Sequence, residues 1–258
     1  MKNLFKFFIS KFSRAKPEIS QEQADLEAAQ FKSREKLQGY TEEEIFGKEG
    51  ADIKNMLEDF EKASKNLAIR IYPKDFVSSF QLEELVYRKD LEGTITMLVL
   101  DHPDSVESLL KTTVEKWGKN VDDLFSLAIE NLRSKYKREL ERTENNFLKF
   151  SGEDIFITSA ALYIDKYRGC IGKYGTVFCL PNRDTLLCKP INSDLDVEVG
   201  LQLMIPLAEN TFDSSSPDLH ITRSIFWHHE GKNELIYTYY GLNRLKYILP
   251  TDLEELVY

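Results

Sequence analysis

The densest group of residues able to do chemistry lies between Pro181 and Glu198. Pro181-Asn182-Arg183-Asp184 has the composition of a tight turn, because Asn and Asp side chains bond their own backbone there. On such a turn the planar donor fork of Arg183 suits an anion or a partner's charge. Asn182 and Asp184 flank it and complete a candidate binding tip. Further along, Asp194, Asp196 and Glu198 join Asp184 as carboxylates able to hold magnesium. That set would fit a hydrolase or a metal-dependent nuclease. The same acids also suit the positive end of a helix that opens at Ser193.

The thiols and imidazoles make a weaker set. Zinc takes four Cys or His ligands, usually in close pairs. Cys179 and Cys188 fall on opposed strands, and His228 and His229 are adjacent. Neighbours on a strand point to opposite faces, so the two imidazoles do not share one ion. No metal site and no cofactor is therefore expected. Cys170 lies between Gly169 and Gly172, near Lys166, Arg168 and Lys173. Nearby cations lower a thiol's pKa, which would suit an exposed nucleophile. The glycines at 169, 172 and 175 lack the Lys-Ser/Thr of a phosphate loop, and there is no G-x-S-x-G elbow. No coherent catalytic set emerges.

Aromatic residues gather near the C-terminus: Phe226, Trp227, Tyr237, Tyr239, Tyr240 and Tyr247. On a hairpin, alternate members face outward, and such a strip suits a protein partner. Trp227, Tyr237 and Tyr239 are the members taken as binding residues. Cross-strand packing into the core is the other use of the same residues.

Composition sets the frame for these sites. The chain has 258 residues, enough to bury a core without disulfide or metal staples. Apolar residues make up 42% and charged residues 30%, an ordinary globular balance. A formal net charge of −9 repels phosphate backbones and disfavours general nucleic-acid binding. Three cysteines do not form a disulfide framework, and reduced thiols point to the cytoplasm. No run reaches the length of a membrane span.

The elements divide the chain in two. Residues 1–65 read as a charged, helical N-terminal arm, and residues 66–258 as an α+β domain. Within the arm, residues 1–16 carry five Lys or Arg and no acid. Leu4, Phe5, Phe8, Ile9 and Phe12 share one helical face, which suits either an anionic membrane surface or docking on the domain. A second helix spans 18–38, and Thr41 with Glu44 makes a capping box. A third helix spans 51–65 with a stripe at Ile53, Met56, Leu57 and Phe60.

In the domain, Leu67, Ile69 and Ile71 alternate with Ala68, Arg70 and Tyr72 as in a strand with one core face. Strands are expected over 82–89 and 94–100, joined by a turn at Asp90-Leu91-Glu92-Gly93. Residues 121–138 form a helix capped by Asn120, with a stripe of Phe125, Ala128, Ile129, Leu132 and Tyr136. A polar loop over 139–146, a strand over 154–157 and a helix over 159–167 follow. Strands 176–180 and 185–189 face each other across the Pro181 turn. A helix runs from Ser193 to about residue 203. A last hairpin joins 219–227 to 234–240 around Glu230-Gly231-Lys232-Asn233. Helices mixed with hairpins predict a mixed, largely antiparallel sheet with packed helices.

Three segments appear in a telling order. Residues 101–133 hold Val-Asp-Asp-Leu-Phe-Ser-Leu-Ala-Ile-Glu-Asn-Leu at 121–132. Residues 159–188 hold Leu-Pro-Asn-Arg-Asp-Thr-Leu-Leu at 180–187, and residues 221–231 follow. This order resembles the YtpQ-like family of bacterial proteins of unknown function, over roughly residues 66–232. The resemblance implies no activity and no catalytic residue.

The expectation is thus a non-enzymatic, cytoplasmic protein that binds another protein. The alternatives are a carboxylate hydrolase or nuclease, and a membrane-surface protein held by residues 1–16.

Overall fold

A computed structural model describes residues 56–257, except 78, 104, 153, 242 and 243. The basic segment 1–16, the helix over 18–38, the capping box at Thr41 and the helical arm as far as residue 55 lie outside the described residues.

The architecture is α+β with two antiparallel sheets. The smaller sheet is built from β1 (Leu67–Pro73), β2 (Tyr87–Arg88), β3 (Thr94–Asp101) and β4 (Val106–Ser108). β3 is central: β1 pairs along one side, and β2 and β4 share the other. α1 (Phe60–Ser64) lies just before β1, and α2 (Ser79–Glu84) precedes β2. The expected strand over 82–89 is therefore helical in its first half. It survives only as a bridge at Leu85 and the two residues of β2. Gly93, at φ 77°, closes the expected turn into β3.

α3 (Lys111–Trp117) leads into α4 (Val121–Lys135). Asn120 caps α4 as expected, its side-chain oxygen accepting from the N–H groups of Asp122 and Asp123. Leu124, Phe125, Ala128 and Leu132 are buried, and α4 packs on β1. The helix ends three residues earlier than expected, because Tyr136 turns to an extended conformation.

The larger sheet has seven strands in the order β11-β10-β9-β7-β8-β6-β5, all antiparallel. They are β5 (Glu139–Arg142), β6 (Leu148–Ser151), β7 (Thr176–Cys179), β8 (Leu186–Pro190), β9 (Ile225–His229), β10 (Lys232–Gly241) and β11 (Arg244–Ile248). The β5–β6 hairpin replaces the expected loop over 139–146. Its strands are short and polar on β5, so periodicity gave no signal. The expected strand over 154–157 is a turn leading into 3₁₀ turns at Ile157–Lys166. β9 and β10 are joined by Glu230 and Gly231, both at positive φ, as a two-residue hairpin turn demands.

α5 (Asp194–Ser214) starts at the expected Ser193 cap but runs eleven residues beyond the expected end. Pro206 removes one backbone donor inside it, yet Met204, Ile205 and Ala208 keep the helix on the core. α6 (Thr251–Val257) closes the described chain.

The larger sheet is buried on both faces at its centre. On one face Val177, Cys179, Leu187, Ile225 and Trp227 meet Val197, Leu201, Met204 and Leu253 of α5 and α6. On the other, Phe178, Leu186, Cys188 and Phe226 join one continuous core with the 3₁₀ segment, the smaller sheet and α4. Ala63 belongs to that core, with Met56, Leu57 and Phe60 packed against it, so the core begins before residue 66. The 3₁₀ segment lies between the sheets and touches both β1 and β8. Its Ser159 hydroxyl donates to the Ile69 carbonyl on β1 at 2.7 Å.

One buried ion pair ties this region together. The Arg138 side chain is fully enclosed, bonds the Asp154 carboxylate, and donates to the Phe156 carbonyl at 2.9 Å. Asp154 also accepts from the Phe156 N–H at 2.7 Å. The pair locks the end of α4 and the open end of the β5–β6 hairpin to the start of the 3₁₀ segment. Arg138→Met strands a buried carboxylate and should cost about 3–5 kcal/mol in urea unfolding. The double variant R138M/D154L should recover much of that loss. Equal losses in single and double variants would contradict this role.

A second buried charge works the other way. Burial on β4 raises the Glu107 carboxyl from 4.5 to about 7. The folded chain then keeps a proton that the unfolded chain has released. The stability this group contributes is full below about pH 4.5 and lost as pH rises through 7. Glu107→Gln should therefore match wild type near pH 4 and exceed it near pH 8, by on the order of 3 kcal/mol. Denaturation midpoints at both pH values check this, and a pH-independent difference would refute it.

Candidate functional site

The Pro181–Asp184 turn forms between β7 and β8 as its composition requires. The Asn182 side-chain oxygen accepts from the Asp184 N–H at 3.1 Å, an Asx turn. The turn is also pinned from outside. The Arg183 N–H donates to the Leu219 carbonyl at 3.0 Å, and the Ile221 N–H donates to the Pro181 carbonyl at 3.0 Å. Asn182 is buried by these contacts, whereas Asp184 faces solvent. Of the three residues expected at a binding tip, Asn182 is thus held inside the turn, Arg183 is half-buried and Asp184 is exposed.

Arg183 is half-buried on this turn. Its guanidinium lies over two rings, 5.4 Å from the Tyr72 centroid and 5.5 Å from that of Phe76. Those rings stack on each other at 4.3 Å. A second guanidinium, that of Arg70, lies 5.4 Å from the same Tyr72 ring. Two positive charges therefore sit against one aromatic ring, each gaining some cation–π attraction. Burial and then the charge of Arg70 lower the Arg183 pKa, with Asp218 and Asp184 partly offsetting them. Neither arginine forms an ion pair or a side-chain hydrogen bond among the described residues.

Arg70 had no place among the expected site residues. Alternation put it on the outward face of β1 with Ala68 and Tyr72. The structure covers that face too, and Arg70 is 8% exposed. The one available signal was a lone charge inside the run Leu-Ala-Ile-Arg-Ile-Tyr.

The carboxylate set is not assembled. Asp184 precedes β8 and Asp194 follows it, so the two sit at opposite ends of the strand, on the order of 15 Å apart. Asp196 is engaged locally: its carboxylate accepts from Lys189 at 2.9 Å and from the Asn192 N–H at 3.0 Å. It stays below the usual carboxylate range because these donors outweigh its burial. Asp194 and Asp196 act as the helix-start acids of α5. Among the described residues no group of three His, Cys, Asp or Glu is placed to hold a metal.

The thiols are core residues. Cys170, expected as an exposed nucleophile, is buried, as are Cys179 and Cys188. Cys170 and Cys188 face each other on one side of the large sheet, and a hydrogen bond from the Cys188 thiol lowers Cys170. Cys179 lies on the opposite side, where burial pushes its thiol up to about 12. His228 and His229 do point apart: His228 is buried against Asn233 at 2.8 Å, and His229 stacks on Trp227. Gly175, at φ 84°, lets its loop lie on β9, since a Cβ there would stand 2.2 Å from the His228 carbonyl oxygen.

The aromatic group divides. Trp227, expected at a binding surface, is 1% exposed, and its Nε1–H donates to the Tyr174 carbonyl at 2.8 Å. Phe226 stacks on Phe178 in the core. Tyr237 and Tyr239 remain outside, 55% and 48% exposed, and Ile248 beside Tyr237 is 57% exposed. Tyr237 and Tyr239 share the face of β10 that carries Leu235 into the core. Leu235 packs against the core that the smaller sheet shares, and beyond it the Tyr237 hydroxyl donates to Glu92 of the β2–β3 turn at 3.5 Å. Tyr240 points to the other face, where its hydroxyl donates to Glu209 of α5 at 2.7 Å.

No protein-family model, no curated protein sequence and no solved structure matches this chain. No helix among the described residues is long and apolar enough to cross a membrane.

The division of the aromatics gives opposite expectations for two substitutions. Trp227→Ala opens a core cavity and should cost about 3–5 kcal/mol. Tyr239→Ser should stay within about 0.5 kcal/mol of wild type. Thermal unfolding followed by circular dichroism separates the two.

Proposed function

We propose that this protein is a non-enzymatic binding module that receives an extended segment of another protein along the β10–β11 edge. The observation that carries this reading is the uncovered sheet face at Tyr237, Tyr239 and Ile248. Tyrosines give a large contact area at low conformational cost, with a polar tip that tolerates water when unbound.

The edge itself supports the same reading. β11 is the last strand of the sheet, and among the described residues nothing pairs with its outer side. A sheet edge of this kind is a template for an added strand. Lys246, opposite Tyr239, places a positive charge among the aromatics. That charge favours a partner segment with acidic side chains over a second copy of this chain, whose net charge is −9. The apolar and aromatic positions recur every second residue, matching the side-chain period of a docked strand.

Two substitutions and two crosslinkers test it. The variant Y237S/Y239S should fold as wild type and lose its co-purifying partner. A photocrosslinker at Tyr239 should capture that same partner through an extended segment. One at Gln202, exposed on α5, should not. If the double variant keeps the partner, or both crosslinkers capture it equally, the edge is not the binding surface.

A further inference from the structure

We infer that Arg70 and Arg183 together bind a phosphate-type oxyanion against the Tyr72 ring. This site shares no residue with the tyrosine edge. It joins the smaller sheet to the β7–β8 turn of the larger one.

Among the described residues, two arginine charges are left without compensation. Arg70 is 8% exposed, and its Nε–H is cut off from solvent with no acceptor. The Nε–H of Arg183 is buried without an acceptor in the same way. An arginine cannot relieve this by losing its proton. Burying one unpaired charge is costly, and a second of the same sign nearby adds repulsion. Both guanidinium carbons lie 5.4 Å from one ring centroid, hence within twice that distance of each other. Elsewhere the fold neutralises its enclosed arginine, since Arg138 meets Asp154 and the Phe156 carbonyl. At Arg70 and Arg183 the described residues supply rings but no bonded carboxylate. Asp184 and Asp218 lie near enough to act on Arg183, yet both face solvent and neither bonds it.

The geometry selects the chemistry. A guanidinium offers a planar fork of donors that matches the oxygens of a phosphate or carboxylate. A carboxylate has two oxygens and fills one fork. A tetrahedral dianion has enough oxygens to meet two forks from different sides, and its double charge balances both cations. The rings of Tyr72 and Phe76 hold Arg183 in place from below, so little side-chain freedom is lost on binding. The Asx turn and the bonds to Leu219 and Ile221 hold its backbone.

The test is titration of the full chain with inorganic phosphate, at constant ionic strength set with chloride, followed by thermal unfolding and calorimetry. Phosphate should raise the melting temperature saturably, acetate much less. Arg183→Gln should weaken phosphate at least tenfold, because a charge-assisted bond is lost. Arg183→Lys keeps the charge but loses the fork, and should fall between them. Arg70→Gln should act like Arg183→Gln. Should that core variant not fold, the Arg183 pair decides alone, since Arg183 is only half-buried and sits on a turn. Phenyl phosphate identifies the natural source. Binding tighter than inorganic phosphate assigns a phosphoryl group carried on a larger molecule, and equal binding assigns the free anion. The inference is overturned if phosphate gives no saturable effect, or if Arg183→Gln responds to it as wild type does.

Discussion

Strands β7, β8 and β9 are buried on both faces, and that double burial places every other element. A sheet covered on one side needs one apolar face. This one needs two, and the chain supplies two different covers. α5 and α6 close one side through Val197, Leu201, Met204 and Leu253. The 3₁₀ segment, the smaller sheet and α4 close the other. The length of α5 follows from this: it must cross three strands, so it continues through Pro206 instead of stopping there. The apolar contacts along its buried face outweigh one missing backbone bond.

The second cover stops short of the sheet's end, and the surface features follow from that limit. Where the smaller sheet lies over the larger, alternate side chains such as Phe178 and Phe226 pack in the core. Beyond Leu235 the same face of β10 carries Tyr237 and Tyr239 into solvent. The two sheets also meet at the β7–β8 turn, where Arg183 comes over the ring of Tyr72 from β1. Both candidate sites are therefore boundaries of one packing arrangement. One is the margin of the cover, and the other is a seam within it.

The seam treats its arginines in two ways. Arg138 is enclosed with a carboxylate and a carbonyl, so its charge is answered within the chain. Arg70, buried, and Arg183, half-buried, lie against aromatic rings and receive no bonded anion from the described residues. Cation–π attraction is worth far less than the solvation lost by two guanidiniums. That imbalance separates a structural arginine from one that calls for a ligand.

Local chemistry was legible in the residues. Asn120 and Ser193 mark helix starts, Glu230-Gly231-Lys232-Asn233 a hairpin turn that the structure tightens to Glu230-Gly231, and Pro181-Asn182-Arg183-Asp184 a turn with an Asx bond. Each depends on side chains bonding backbone within three or four residues, so neighbours in sequence suffice. The α+β class and the antiparallel pairing also follow from hairpins of this kind. What tertiary structure decided was which faces are covered. Alternation in β1 exposed Arg70, but elements distant in sequence lie over that face and bury it. Trp227 and Tyr237 look alike as aromatic strand residues, and only the reach of α5, α6 and the smaller sheet places one inside and the other out. The carboxylates failed to converge because β8 stands between them as a rigid spacer. Burial and convergence are set by contacts across the whole chain, and a local pattern of residue types carries no record of them.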